Sequence, residues 1–198
     1  MFKSQYLNEK LGNILIYIAE NAEYVGITKV NKLLYFLDFI AFRRLGKPLT
    51  GNNYIALQFG PVPVPFYSEY GSGNIYDSNE VNQCKTPEEL KQFIEFENIT
   101  LQNGNRFSKI ITKSEFNSEY FSKRELNILR EITTKYKTKS AEEMEDLSHK
   151  TIPYIKAWKD GKGIGNNIDW LDVIKDDSEF NGEKLSKEYL QECLKYIK

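Results

Sequence analysis

The chain has 198 residues, of which 40% are hydrophobic and 28% charged, and its formal net charge is −1. This size and composition indicate one well-packed globular domain. The near-neutral balance argues against a dedicated nucleic-acid-binding protein, whose basic face usually shows in the total charge. Two cysteines, Cys84 and Cys193, and a single histidine are too few for a Cys/His zinc site, and they favour the cytoplasm over secretion. The apolar run at residues 14–19 is too short for a membrane span and has the wrong flanks for a signal peptide.

Two helices are predicted in the first quarter of the chain. The first carries one apolar stripe at helical spacing, formed by Leu7, Leu11, Ile14, Leu15, Ile18 and Ala22. The second is apolar almost all round, which is typical of a central helix packed on several sides. Thr28 is predicted to cap its start, and Gly46 with Pro48 to end it. Its polar residues Asn31 and Asp38 share one narrow face and need hydrogen-bond partners if they are buried.

A proline-rich stretch follows, with the sequence YIALQFGPVPVPFYSEYG. Residues 52–59 alternate in polarity and predict a short strand, which Gly60 and Pro61 are expected to end. The prolines then hold an extended segment, and Pro65 is placed to begin a short helix carrying Phe66, Tyr67 and Tyr70. Aromatic side chains dominate both cores and interfaces, so the stretch is either core or a contact surface.

The remaining elements are predicted from local patterns. Thr86 before Pro87 reads as a helix start, and residues 95–113 read as a hairpin with Asn-Gly at its turn. Helix starts with a capping-box pattern occur at Ser122 with Glu125 and at Ser140 with Glu143. The fold class is therefore mainly α (α+β): a compact helical domain around a central buried helix, with a small antiparallel β-sheet or hairpin inserted.

No combination of residues in the sequence requires that the chain be an enzyme. His149 is the single histidine, and at the end of a short helix it is expected to satisfy the last carbonyls. The acidic residues between Glu142 and Asp146 are typical of the first turn of a helix. The lysines at 135, 137 and 139 are typical of a helix end, although they leave open a contact with phosphates.

Three blocks of the sequence together resemble a known family. They are Lys29, Lys32, Leu33, Leu34, Tyr35, Gly46, Lys47, Pro48 and Leu49; then Phe59, Gly60, Pro61, Val62 and Tyr67; then Leu147, Ser148 and His149. In this order they resemble the Panacea, or SocA-like, antitoxin domain of type II toxin–antitoxin systems, some of them phage-associated. The resemblance covers roughly residues 10–160. Phe59 stands where the family has a tyrosine, Pro63 and Pro65 straddle Val64 where the family has its proline, and Pro153-Tyr154 stands for its Pro-Trp.

The resemblance implies an antitoxin that neutralises a toxin encoded beside it by direct protein–protein binding, with no catalysis and no cofactor. The domain is predicted over residues 1–160, with residues 161–198 as a C-terminal helical extension packed on the same domain. The apolar residues of the extension also leave open a dimer contact or a part that differs with the toxin. A homodimer stays open, and nucleic acid and membranes are not expected partners. The candidate partner-binding or family-motif residues are Lys32, Tyr35, Phe59, Gly60, Pro61, Val62, Pro63, Tyr67, His149 and Trp158.

Three alternatives remain at this stage. A relative in the family acts as an adaptor that delivers its toxin to a AAA+ protease, which is a variant of the same binding role. A small hydrolase or nuclease would use Glu142, Glu145, Asp146 or His149. A nucleic-acid-binding regulator would use Lys135, Lys137 and Lys139, and its binding would weaken with salt.

Overall fold

The structure of the chain is a computed structural model that describes residues 2–64, 86–100 and 106–197. The predicted helix after Pro65, with Tyr67, lies outside the described residues. The helices are α1 (Phe2–Asn21), α2 (Ile27–Leu45), α3 (Lys123–Lys135), α4 (Ala141–His149), α5 (Ile152–Trp158) and α6 (Lys187–Leu194). The strands are β1 (Tyr54–Leu57), β2 (Gly60–Pro63), β3 (Ile94–Thr100) and β4 (Arg106–Thr112). Short 3₁₀ turns lie at Glu88–Leu90, Ser118–Tyr120, Lys159–Gly161 and Trp170–Lys175.

The second helix is central, as its apolar pattern predicts. Most residues of α2 between Lys29 and Arg43 are buried, and the helix contacts the β1–β2 hairpin, α3 and α4. Gly46 ends it in the left-handed conformation, with φ 76°, and donates its N–H to the carbonyl of Phe42 at 2.8 Å. The predicted cap at Thr28 is wrong: the helix begins at Ile27, and Gly26 precedes it without a side-chain cap. No local side chain is therefore needed to start a helix that is fixed by packing on all sides.

The proline stretch forms the second arm of a tight hairpin. Strands β1 and β2 are antiparallel, with Tyr54 opposite Pro63 and Leu57 opposite Gly60. The prediction that Gly60 and Pro61 end the strand is therefore wrong. The chain turns at residues 58–59, and Gly60, with φ 94°, begins the return strand. Proline is tolerated at positions 61 and 63 because residues at alternate positions of a strand direct their backbone nitrogens away from the partner strand, here β1.

The second hairpin was predicted correctly, but the helix start before it was not. Strands β3 and β4 pair in antiparallel register from Ile94 opposite Thr112 to Thr100 opposite Arg106. The Asn-Gly turn lies outside the described residues. Thr86 caps no helix; its hydroxyl oxygen accepts from the backbone N–H of Phe96 at 2.8 Å, and only a 3₁₀ turn follows.

Helices α3 and α4 begin where the sequence predicts. Ser122 with Glu125 and Ser140 with Glu143 each form a complete capping box, in which side chain and backbone bond in both directions. The buried residues of α3 include Ile128, Leu129 and Ile132, which face α2. The two capping boxes thus fix the starts of α3 and α4, two of the helices that contact α2.

The segment after α5 packs on the same core. The ring of Trp170 stacks on Phe39 of α2 at 4.4 Å, and Phe180 is fully buried beside Tyr35. The carbonyl of Arg43 accepts from the N–H of Leu185 at 2.9 Å. The fold is mainly α with small antiparallel hairpins, as predicted. Over the described ranges, no helix is both long and apolar enough to cross a membrane.

Candidate partner-binding face

The β1–β2 hairpin is attached to the central helix by a buried lysine. The ammonium group of Lys32 donates to the carbonyl oxygen of Pro61 at 3.1 Å, and the residue is 1% exposed. Burial lowers the pKa of Lys32 to about 7, although the carboxylate of Glu145 on α4 opposes the change. Burial in turn raises the pKa of Glu145, and Lys32 opposes that. The site beneath the hairpin is therefore poorly solvated.

Gly60 lets three elements approach each other closely. A Cβ at this position would lie 2.6 Å from the Oγ of Ser148 on α4 and 2.7 Å from the Cε of Lys32 on α2. Contacts that short are not found in folded proteins, so a larger residue would displace one of these neighbours. The glycine of the Gly-Pro pair is thus required by packing as well as by its positive φ.

Tyr35 holds the N-terminus of α5. Its hydroxyl lies 2.8 Å from the Oγ1 of Thr151, the residue that precedes α5. Thr151 donates its own proton to the carbonyl of Ser148 at 2.7 Å, so Tyr35 is the donor of the pair. Burial raises the pKa of Tyr35 well above its ordinary value, which keeps the phenol protonated.

Three rings form an aromatic row, defined here as His149, Tyr154 and Trp158. The imidazole of His149 stacks on Tyr154 with centroids 4.7 Å apart and planes 7° apart, and Tyr154 stacks on Trp158 at 5.9 Å and 14°. The hydroxyl of Tyr154 donates to the carbonyl of Leu57 at 2.8 Å. This bond joins the row to the end of β1.

His149 does not serve the role expected from the sequence. It lies in the last turn of α4, as predicted. Its Nε2 is buried and has no hydrogen-bond partner, and the ring stacks on Tyr154 instead of satisfying the helix carbonyls. Burial lowers the pKa of His149, the charge of Lys32 lowers it further, and Asp146 opposes both. The imidazole is therefore neutral at pH 7.

Two apolar side chains are exposed close in sequence to the two residues that this bond joins, Tyr154 and Leu57. Phe59, at the turn of the hairpin, is 51% exposed, and Ile155, next to Tyr154 on α5, is 51% exposed. We call these two residues together with the aromatic row the hairpin face. Large exposed side chains on a rigid framework are typical of protein-binding surfaces.

The residues selected from the sequence fall into two groups. Phe59, His149 and Trp158 belong to the hairpin face, with His149 and Trp158 half-buried. Those beneath it belong to its framework: Lys32, Tyr35, Gly60, Pro61 and Pro63 are buried, and Val62 is half-buried. Tyr67 lies outside the described residues.

Sequence reasoning missed Ile155. In the structure Tyr154 and Ala157 are buried, and Ile155 lies on the exposed side of α5. The sequence pattern does not distinguish this position, because every residue of α5 except Lys156 is apolar or aromatic.

Two of the lysines that a nucleic-acid-binding role would use form ion pairs at the surface. Lys135 pairs with Glu179 at 2.9 Å, and Lys139 pairs with Glu143 at 2.7 Å. Within the described part of the chain, no group of three or more His, Cys, Asp or Glu side chains could hold a metal ion.

An open groove of about 350 Å³ lies at the C-terminal end of α5. Lys156 and Asp172 on its lining pair with each other, and two asparagines, Asn166 and Asn167, complete its polar side. Its charges largely cancel, so the lining alone does not select a ligand class.

Comparison with known proteins identifies the family. The family model described as antitoxin SocA-like, Panacea domain, matches residues 30–159, which is more than half of the chain. No curated protein and no solved structure matches the chain. The matched range contains the central helix from Val30 onward, the β1–β2 hairpin and the aromatic row. The chain therefore belongs to the SocA-like antitoxin family with a Panacea domain, which gives it an antitoxin-type role with a toxin as its partner.

Proposed function

We propose that this chain neutralises its toxin by direct binding through the hairpin face, with no catalysis of its own. The observation that carries the proposal is the exposure of Phe59 and Ile155, each about half exposed, on two elements that the Tyr154–Leu57 hydrogen bond joins. Exposed apolar groups held on rigid elements lose little entropy on binding, which favours a tight complex.

The framework beneath the face supports a binding role over a catalytic one. Of the groups with acid–base or nucleophilic chemistry in this region, the carboxylate of Glu145 and the imidazole of His149 are half-buried. The other three, the ammonium of Lys32 and the hydroxyls of Ser148 and Thr151, belong to residues that are at most 1% exposed. Each is engaged in a hydrogen bond to a backbone carbonyl. A catalytic group must reach its substrate, whereas these groups connect secondary-structure elements.

The test is co-expression with the product of the reading frame adjacent to this chain's gene. We expect that product alone to stop growth, and this chain to restore growth and co-elute with it on a sizing column. An immunoblot of the product distinguishes neutralisation in a complex, where its amount persists, from delivery to a protease, where its amount falls.

Substitution then locates the face. Phe59→Asp and Ile155→Asp should each lower the affinity at least about tenfold, because a charge placed in the apolar centre of an interface must be desolvated. Tyr196→Asp is the matched control, since Tyr196 is an exposed aromatic (80%) far along the chain from the face. If Phe59→Asp and Ile155→Asp lose no more affinity than Tyr196→Asp, the binding site lies elsewhere. No toxicity and no co-elution would overturn the proposed function itself.

A further inference from the structure

The segment that follows the family match is built into the framework of the hairpin face. Beyond residue 159, the N–H of Gly165 donates to the carbonyl of Ala56 at 2.8 Å, and the N–H of Ala56 donates to the carbonyl of Asn166 at 2.9 Å. The N–H of Ile168 donates to the carbonyl of Tyr54 at 2.9 Å. These residues pair with the edge of β1 opposite β2, so β1 is hydrogen-bonded along both of its edges.

Further along this segment, Asp176 binds the N-terminus of α5. Its carboxylate is buried, with the residue 1% exposed, and its Oδ2 accepts from the backbone N–H of Ile152 at 2.6 Å. Ile152 is the first residue of α5, and the first N–H groups of a helix have no partner within the helix. A carboxylate also complements the positive end of the helix dipole. The other oxygen, Oδ1, accepts from the backbone N–H of Ser178 at 3.1 Å and from its hydroxyl.

The backbone of Asp176 is fixed on the central helix. The guanidinium of Arg43, 1% exposed, donates through Nη1 to the carbonyls of Val173 at 2.8 Å and of Asp176. A second side chain of α2, Tyr35, reaches the same helix start through Thr151. Asp176 therefore connects α2 to α5 through buried polar contacts. Arg43 of α2 binds the backbone carbonyl of Asp176, and the carboxylate of Asp176 binds the N–H of Ile152 in α5.

We infer that Asp176 is a positioning residue of the hairpin face: it sets where α5 begins and thereby how Tyr154, Ile155 and Trp158 are presented to a partner. The role in partner binding rests on the proposed function; the placement of the aromatic row does not. Asp176 lies outside the matched range 30–159, so the face of the family domain depends on a residue of the C-terminal segment.

The chain provides its own reporter for this inference. His149 is the only histidine in the sequence, and its ring lies parallel to Tyr154. In the proton NMR spectrum of the free chain, the His149 Hε1 signal should be displaced by the ring current of Tyr154. A shift of α5 relative to α4 would remove that displacement, whereas a loss of stability that leaves the folded state intact would not.

Three variants separate positioning from general stability. Asp176→Ala removes the acceptor for Ile152, and we expect the ring-current displacement of His149 to be lost. Asp176→Asn keeps an acceptor oxygen for Ile152, and its amide can donate to the Ser178 hydroxyl, although it gives up the bond from the Ser178 backbone N–H. Because the contact with α5 is kept, the His149 signal should stay close to that of the wild type. Asp169→Ala is the matched control, because Asp169 accepts from the backbone N–H of Leu171 in the same segment and forms no hydrogen bond to α5.

If Asp176→Ala does not fold, Ile152→Pro serves as a second variant. It deletes the donor, since proline lacks an N–H and is favoured at the first position of a helix, and it replaces the half-buried isoleucine side chain with the proline ring. Thr151 already has the extended backbone, with φ −75° and ψ 139°, that a residue before proline requires. We expect the same loss of the His149 displacement.

Binding of the product of the adjacent reading frame supplies the second readout. Asp176→Ala should weaken it on the order of tenfold and Asp176→Asn should restore it, as for the loss and rescue of one charge-assisted contact. An unchanged His149 signal in folded Asp176→Ala would overturn the inference. If the wild-type chain binds nothing while the His149 signal responds as expected, the proposed function fails and Asp176 remains the residue that places the row.

Discussion

Lys32 of the central helix and Pro61 of the hairpin are joined by a hydrogen bond of 3.1 Å in a site where the lysine is 1% exposed. Burial lowers the pKa of Lys32 from its ordinary value of 10.5 to about 7. Between these two values the unfolded chain binds a proton at Lys32 that the folded chain has released. The free energy of unfolding should therefore rise with pH over this window, by about 1.4 kcal/mol per pH unit from this group.

Lys32→Met tests this linkage, because methionine keeps an unbranched stem and does not titrate. Urea denaturation at pH 7, 8 and 9 should show a flatter dependence for Lys32→Met than for the wild type; the range stays below the titration of tyrosines in the unfolded chain. Lys135→Met, at an exposed ion pair with Glu179, is the control and should keep the wild-type slope. Equal slopes for wild type and Lys32→Met would mean that Lys32 is solvated in the folded chain.

Asp38 is the one acidic residue of α2 and is fully buried, and its carboxylate organises the loop before β1. Its Oδ1 accepts from the backbone N–H groups of Leu49 at 2.8 Å and Thr50 at 2.9 Å, and its Oδ2 accepts from the hydroxyls of Thr50 and Tyr54. Asp38→Ala leaves these buried donors without an acceptor and should cost about 3–5 kcal/mol in the free energy of unfolding.

Asp38→Asn should cost much less, since the amide oxygen can accept from both N–H groups and both hydroxyls can accept from the amide nitrogen. Burial raises the pKa of Asp38 to about 6, so its contribution to stability declines as the pH rises from about 4 to about 6. That decline should be absent in Asp38→Asn, as measured by urea denaturation at pH 4, 5 and 6. A loss in Asp38→Asn as large as in Asp38→Ala would contradict this account.

Contacts between residues a few positions apart could be predicted from the sequence. Both capping boxes depend on pairs three residues apart, Ser122 with Glu125 and Ser140 with Glu143, and both were predicted correctly. Asp38 has the hydrogen-bond partners that its burial requires, whereas the buried Oδ1 of Asn31, which was expected to need one on the same face, has none. The matched family was visible for the same reason: its motifs are short and local.

Pairings over long sequence distances could not be predicted. The hydroxyl of Thr86 accepts from Phe96 across a loop instead of capping a helix, and only the fold brings the two together. The link from Arg43 to Asp176 joins residues 133 positions apart. The hairpin turn at residues 58–59 was missed because a Gly-Pro pair can end one strand or begin the next, and the packing of Gly60 against Ser148 decides between them.

Gly60→Ala and Gly165→Ala form a matched pair that separates backbone strain from close packing. Both glycines have positive φ, 94° and 80°, so alanine should cost about 1–2 kcal/mol at either position. At Gly165 nothing lies within 4 Å of the added Cβ, whereas at Gly60 it meets Ser148 and Lys32 below 3 Å. Gly60→Ala should therefore lose a further 1–3 kcal/mol or so in the free energy of unfolding, measured by urea denaturation. Equal losses would show that the hairpin moves freely away from α2 and α4.

His149→Phe tests whether the imidazole acts by stacking or by its nitrogen. Phenylalanine keeps a ring parallel to Tyr154 and removes the buried Nε2, which has no partner, so the stability should stay equal or rise by about 1 kcal/mol. His149→Ala loses the ring contact and should be less stable than His149→Phe. Because a binding role needs only the shape of the row, His149→Phe should still restore growth when co-expressed with the product of the adjacent reading frame. A folded His149→Phe that no longer restores growth would show that the nitrogen itself contacts the toxin or takes part in chemistry, and would reopen the hydrolase alternative.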